Sequence, residues 1–166
     1  MSGYFYFDII LYNKKMLNIL TGLPQNKKDD NTICNKFANS VGTKIILGSS
    51  TMKMYCRELN IKPKIKIVSP QKPMATYFID SIDIATEGVI TLNECYKILS
   101  GKISDNQDAI DIAKLINQDN KINFIIGTAD NGEHQFYKQN NIFSRTEIIK
   151  KIIDLLKDKK ITTEFI

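Results

Sequence analysis

At 166 residues, with 43% hydrophobic and 25% charged, the chain is of single-domain length and can bury a core without disulfide or metal staples. Its net charge of +5 attracts phosphate-bearing partners only weakly and does not by itself argue for nucleic acid. No apolar run approaches the ~20 residues that span a bilayer, and Cys34, Cys56 and Cys95 lie too far apart for a metal site, which leaves a soluble, cytoplasmic protein with reduced thiols as the expectation.

The opening "MSGYFYFDIILY" lacks a basic n-region and carries Asp8, so it reads as a poor signal peptide. Tyr4–Tyr12 is aromatic and β-branched, which predicts an added N-terminal strand or hairpin, with a turn at 13–15. Met16–Leu20 is the next strand, closed by Thr21-Gly22-Leu23-Pro24. Asp29 or Asp30 caps a helix to about Asn39, with Ile33, Cys34 and Phe37 inward. Lys44–Leu47 is a strand, and "GSST" (48–51) follows it. Ser50 or Thr51 is expected to cap a helix whose stripe is Met52, Tyr55, Cys56 and Leu59, ending near Asn60 ahead of Pro63.

Residues 64–67 alternate at strand period, and Lys62, Lys64 and Lys66 suit a guarded edge strand better than a nucleic-acid contact. A two-proline loop occupies 69–75, and 81–85 is a short strand followed by Thr86-Glu87-Gly88. Thr91 and Glu94 spell a capping box that would open a helix to Ser100, with Gly101 as its stop. A helix over 105–117 precedes the strand Lys121–Ile126, which ends at Gly127-Thr128. After a polar stretch at 129–143, Ser144 and Glu147 form a second capping box. It opens a helix with Ile148, Ile149, Ile152, Leu155 and Leu156 on one face, and "ITTEFI" (161–166) closes as a strand. There is no internal repeat and no linker, so 1–166 reads as one domain, with 1–15 as an extension of the core at 16–166.

Strands alternating with helices predict an α/β fold: a three-layer, mostly parallel, Rossmann-like sheet with helices on both faces. In such sheets ligands bind beyond the carboxyl ends of the strands. Four predicted strands end there in small or hydroxyl-bearing turns: Thr21-Gly22, Gly48-Ser49-Ser50-Thr51, Thr86-Glu87-Gly88 and Gly127-Thr128. Each turn alone is explained as a helix cap; together they make a candidate anion pocket. "GSST" is neither a Walker loop nor a G-x-G-x-x-G fingerprint. Glu87 could accept from a ribose diol or act as an acid or base, and equally be a solvated loop charge. His134, the sole histidine, has no companion ligands for zinc, and could sit on a lid over the strand ends or on the surface.

Four stretches carry a family resemblance: "ILTGLPQNKKDD", "GTKIILGSSTMKMYCREL", "IDIATEGVITLNECYKIL" and "INFIIGTADNGEHQ". They resemble the segment C-terminal to the phosphatase domain in stage II sporulation protein E-type serine/threonine phosphatases. The matching positions are Thr21, Gly22 and Pro24; Gly48, Thr51 and Arg57-Glu58-Leu59; Thr86, Glu87, Gly88, Thr91 and Leu92; and Gly127, Thr128, Asn131, His134 and Gln135. The family's Gly-Gly-Thr-Thr is Gly-Ser-Ser-Thr here, and its T-G-P-P is Thr21-Gly22-Leu23-Pro24. The resemblance spans about 16–166 and leaves no room for the phosphatase domain itself. It implies a free-standing accessory domain and supplies no reaction.

The resulting expectation is a module for a small, phosphate-bearing, nucleotide-like ligand, acting as a sensor or sequestering a signalling nucleotide as small virus-borne proteins do. Ser49, Ser50 and Thr51 would hold phosphate, Thr86 and Glu87 a sugar or amine, and Thr128, Asn131 and His134 would close over it. Glu87→Ala and Thr51→Ala are expected to weaken binding without lowering the melting temperature. The alternatives are a hydrolase with Glu87 and His134 as base and acid, and an interaction domain whose "YFYF" strand pairs with a partner or a second copy. No cofactor, metal, membrane or nucleic acid is expected.

Overall fold

The computed structural model of the chain describes residues 16–66, 76–129, 132, 137 and 139–166. The predicted strand Tyr4–Tyr12, the loop at 69–75, and the candidates Asn131 and His134 lie outside these residues.

The apolar run Met16–Thr21 forms β1, an interior strand of the sheet, and everything past its first residue is buried. It pairs in parallel with β2 (Thr43–Leu47) on one side and β6 (Lys121–Ile126) on the other. Beyond β2 lies β5 (Ile84–Thr86), and beyond β6 lies β7 (Lys160–Phe165), both also parallel. A short hairpin, β3 (Lys64–Lys66) with β4 (Thr76–Phe78), adds two antiparallel strands outside β5. The described residues thus form a seven-stranded sheet in the order β3-β4-β5-β2-β1-β6-β7. The edge position predicted for the lysine-rich strand is the one β3 occupies.

Side chains alternate across β1, so its two faces feed two cores. Leu20 lies in one row with Ile46, Ala85 and Ile125, and this row packs on α1 (Asp30–Ala38) and α2 (Ser49–Glu58) through Cys34, Phe37, Met52 and Tyr55. Leu17 and Ile19 face the other way, with Ile45, Ile122 and Phe124. They meet α3 (Val89–Leu99), α4 (Gln107–Gln118) and α5 (Arg145–Leu155), the last through Ile148, Ile149 and Ile152. Helices on both faces of a mostly parallel sheet make this the expected three-layer, Rossmann-like α/β fold. The chain winds from β1 through β2 to β5 with α1 and α2 on one face. It then crosses to β6 and β7 with α3, α4 and α5 on the other, the sense right-handed crossovers require.

Three local expectations need correction. The helix after β2 starts at Ser49 with Gly48 as its N-cap and no side-chain cap, so neither Ser50 nor Thr51 caps it. The Thr91–Glu94 box does not open α3, which starts two residues earlier at Val89 behind Gly88. Thr91 is instead buried in the helix, and Glu94 bonds Lys97 and Ser104. The strand read at 81–85 is shifted to Ile84–Thr86, because Ser81 sits at a φ of 69° in a turn. The Ser144–Glu147 box forms as expected, with Ser144 N–H donating to Glu147 Oε2 at 2.9 Å. Among the described residues no helix is long and apolar enough to cross a membrane.

Candidate functional site

The register of the sheet brings the four turns together. Thr86, Leu47, Thr21 and Ile126 occupy one rung across β5, β2, β1 and β6. Each strand leaves the sheet at that rung, so the turns that follow lie side by side along the carboxyl edge. Backbone bonds then tie neighbouring turns. Gly48 N–H donates to Thr86 O at 2.8 Å, and Gly127 N–H to Thr21 O at 2.7 Å.

The glycines are needed first for this mutual packing. A Cβ on Gly127 would stand 2.2 Å from Leu23 O, and one on Gly22 would stand 2.6 Å from an Arg145 Nη. At Gly127 the clash is with backbone, and at Gly22, where the arginine tip could move, the φ of 86° and Gly127 O at 2.9 Å still require glycine. Gly22 N–H, buried, donates across 29 positions to Thr51 Oγ1 at 2.8 Å. Thr51 is therefore a tie between the β1 turn and α2, which is why it does not cap its own helix.

Above the turns lies a cavity of about 200 Å³. One wall is the start of α2, Gly48 through Thr51, and another is Glu87, Gly88 and the start of α3, Val89 and Ile90. The two helices come from opposite faces of the sheet and have 10 and 11 residues. Both N-caps are glycine and neither makes a side-chain cap bond. The first N–H groups of a helix have no partner inside it, so two sets of donors, each at the positive end of a dipole, open on the same space. Arg145, the first residue of α5, reaches in from a third direction, anchored by an Nη–H bond to Gly127 O at 3.2 Å. Leu23, Ala129 and Tyr137 complete an apolar side with Val89 and Ile90. Glu87 supplies the carboxylate of the cavity and makes no ion pair or side-chain hydrogen bond among the described residues. No group of three or more His, Cys, Asp or Glu that could hold a metal occurs among those residues.

Of the sequence candidates, Gly22, Gly48, Ser49, Ser50, Thr51, Glu87 and Gly88 line the cavity. Four others adjoin the turns but point elsewhere or lie beneath. Thr86 Oγ1 donates to Asp108 Oδ2 at 2.8 Å, and Thr128 Oγ1 to Ile166 O at 2.7 Å. Gly127 is the packing partner of Gly22, and Thr21 is wholly buried with its hydroxyl unpartnered among the described residues. Arg145 and the apolar side were missed from sequence. In sequence Arg145 lies inside the Ser144–Glu147 capping box, and Tyr137 in a stretch with no periodicity. No family model, curated protein or solved structure matches the chain.

Proposed function

We propose that the chain is a binding module for a small, phosphate-bearing, nucleotide-like ligand, held at the carboxyl edge of the sheet. The observation that carries this reading is the convergence of two glycine-capped helix N-termini and Arg145 on one cavity. Uncapped N–H groups and a guanidinium are anion donors, and a ligand phosphate would complete what no side chain caps. Ser49 and Ser50 hydroxyls add donors at the same wall. Glu87 suits a ribose diol or an amine, and the apolar side with Tyr137 suits a ring. At about 200 Å³ the cavity is smaller than the ~300–1,000 Å³ typical of drug-sized sites, a size for the phosphate and adjoining sugar. The resemblance to the phosphatase-associated segment points to the same blocks of sequence. On this reading the pocket serves as a sensor or sequesters its ligand.

The test is mass spectrometry of the supernatant from heat-denatured protein, against a mock purification. A stoichiometric phosphorylated compound is expected. A released compound without phosphate overturns the reading. The hydrolase alternative rests on Glu87 standing in the cavity; turnover of a nucleotide panel that is lost in Glu87→Gln would replace binding with catalysis.

A further inference from the structure

We propose that the outer edge of β7 is a self-association surface, on which a second copy of the chain lays its own β7 antiparallel and continues the sheet across a two-fold axis. β7 ends the sheet on its side, and its inner groups are used by β6. Lys160 N–H donates to Asn120 O at 3.0 Å, Ile166 N–H donates to Ile126 O at 2.9 Å, and Ile166 O accepts from Thr128 N–H at 2.9 Å. Every second residue of a parallel strand bonds a given neighbour, so Lys160, Thr162, Glu164 and Ile166 serve β6. Ile161, Thr163 and Phe165 turn their N–H and C=O groups outward, and no strand among the described residues takes them. None of the residues that line the cavity belongs to β7, so this surface stands apart from the phosphate pocket.

Proteins guard open sheet edges with short strands, lysines, prolines or bulges. β3 at the opposite end of the described sheet follows that rule, with three residues of which two are Lys64 and Lys66. β7 has six residues in unbroken register with β6, no proline, and Phe165 left 59% exposed. Its charges identify the occupant. Lys160 and Glu164 stand on the same face of the strand, two residues either side of Thr162. When an identical strand is laid antiparallel with Thr162 on the two-fold, Ile161 of each copy falls opposite Thr163 of the other. These are outward-facing residues, and they exchange four N–H···O bonds. In the same register Lys160 of each copy faces Glu164 of the other, and the two Thr162 side chains meet between the ion pairs, which are stabilising cross-strand neighbours. Lys36 of α1 bonds Glu164 at 2.7 Å, and the carboxylate side chain stays 40% exposed for the second cation. One register thus satisfies backbone and charge together, and the contact is isologous and closes at two copies. A single pair of strands is a small interface, so the dimer belongs to the weak, reversible class.

The experiment is sedimentation velocity of the full chain over a concentration series at low salt, repeated on Thr163→Pro, Lys160→Glu, Glu164→Lys and the double charge swap. Wild type is expected to shift from monomer towards dimer as concentration rises. Thr163→Pro removes an N–H that β6 does not use, which an edge strand tolerates, and should abolish the dimer. Each single swap sets like charges opposite each other twice and should weaken the dimer about fivefold or more, and the double swap should restore it. Melting temperatures near wild type would show that the fold is intact; if Thr163→Pro melts lower, the charge swaps, which leave the backbone alone, carry the test. A chain that stays monomeric at every concentration overturns the proposal. So does a dimer that survives Thr163→Pro, which would place the contact elsewhere in the chain, or a double swap no tighter than the single ones, which would remove the antiparallel register. All of these outcomes leave the pocket reading standing.

Discussion

Replacing Thr51 by valine separates what this residue does for the fold from what it does for a ligand. Valine keeps the branched shape and loses the oxygen that accepts from Gly22 N–H at 2.8 Å. Thr51 is 1% exposed, so water does not replace the lost partner and the buried N–H is left unsatisfied. Such a loss costs about 1–3 kcal/mol. For a chain of this size each kcal/mol lowers the melting temperature by about 2–4 °C, so the ligand-free variant should melt about 2–12 °C below wild type. Thr51→Ser keeps the oxygen and should lose less. Thermal unfolding followed by circular dichroism, with ligand removed, reads both. The structure leads to a different prediction from the one sequence suggests, that truncating Thr51 spares stability, because the hydroxyl accepts from Gly22 N–H inside the protein. A Thr51→Val protein that melts with wild type would show that the β1 turn does not depend on this bond, and the reasoning would be refuted.

Other perturbations test neighbouring steps. Glu87→Gln removes a carboxylate with no partner among the described residues, so its melting temperature should match wild type while affinity for the copurified ligand falls; the opposite pattern would make Glu87 structural. Gly127→Ala places a Cβ 2.2 Å from Leu23 O and should cost about 3 kcal/mol or more, seen as a fall in soluble yield and melting temperature; normal stability would mean the turns are not packed as described. Thr21→Val removes a wholly buried hydroxyl with no described partner and should leave stability unchanged or higher in calorimetry, whereas a lower melting temperature would reveal a partner for it. Burial pushes the thiols of Cys34 and Cys95 up to about 12, with nearby carboxylates adding to the effect. They should resist thiol reagents at pH 8 until the chain unfolds. Between pH 9 and 12 the unfolded chain loses these protons and the folded one keeps them, so stability should fall as pH rises through that window and be unaffected below it. Constant stability across it would contradict the burial.

What the sequence showed well was what period and punctuation encode. Buried parallel strands are continuous apolar runs, and Met16–Thr21, Thr43–Leu47 and Lys121–Ile126 stand out as such between glycine turns. The β3–β4 hairpin was half missed, because three residues of Thr-Tyr-Phe give too short a run to show alternation. The capping errors share one cause. Thr51 and Thr91 have the right residue type at the right spacing, but the strand ends place Gly48 and Gly88 at the helix starts, and tertiary packing assigns the hydroxyls elsewhere. A local motif reports what a side chain can bond, and the rung on which four strands end decides what it does bond. Arg145 shows the same rule from the other side. Its sequence neighbours explain themselves completely as a helix start, so nothing local marks it. Its role becomes visible only when Gly22 and Gly127, over a hundred positions apart in sequence, are seen as the two halves of its seat. In sequence the glycines suggest access for a ligand, whereas in the fold they pack against each other, Leu23 and a guanidinium. Ligand access, on this structure, comes from the helix ends those glycines hold in place.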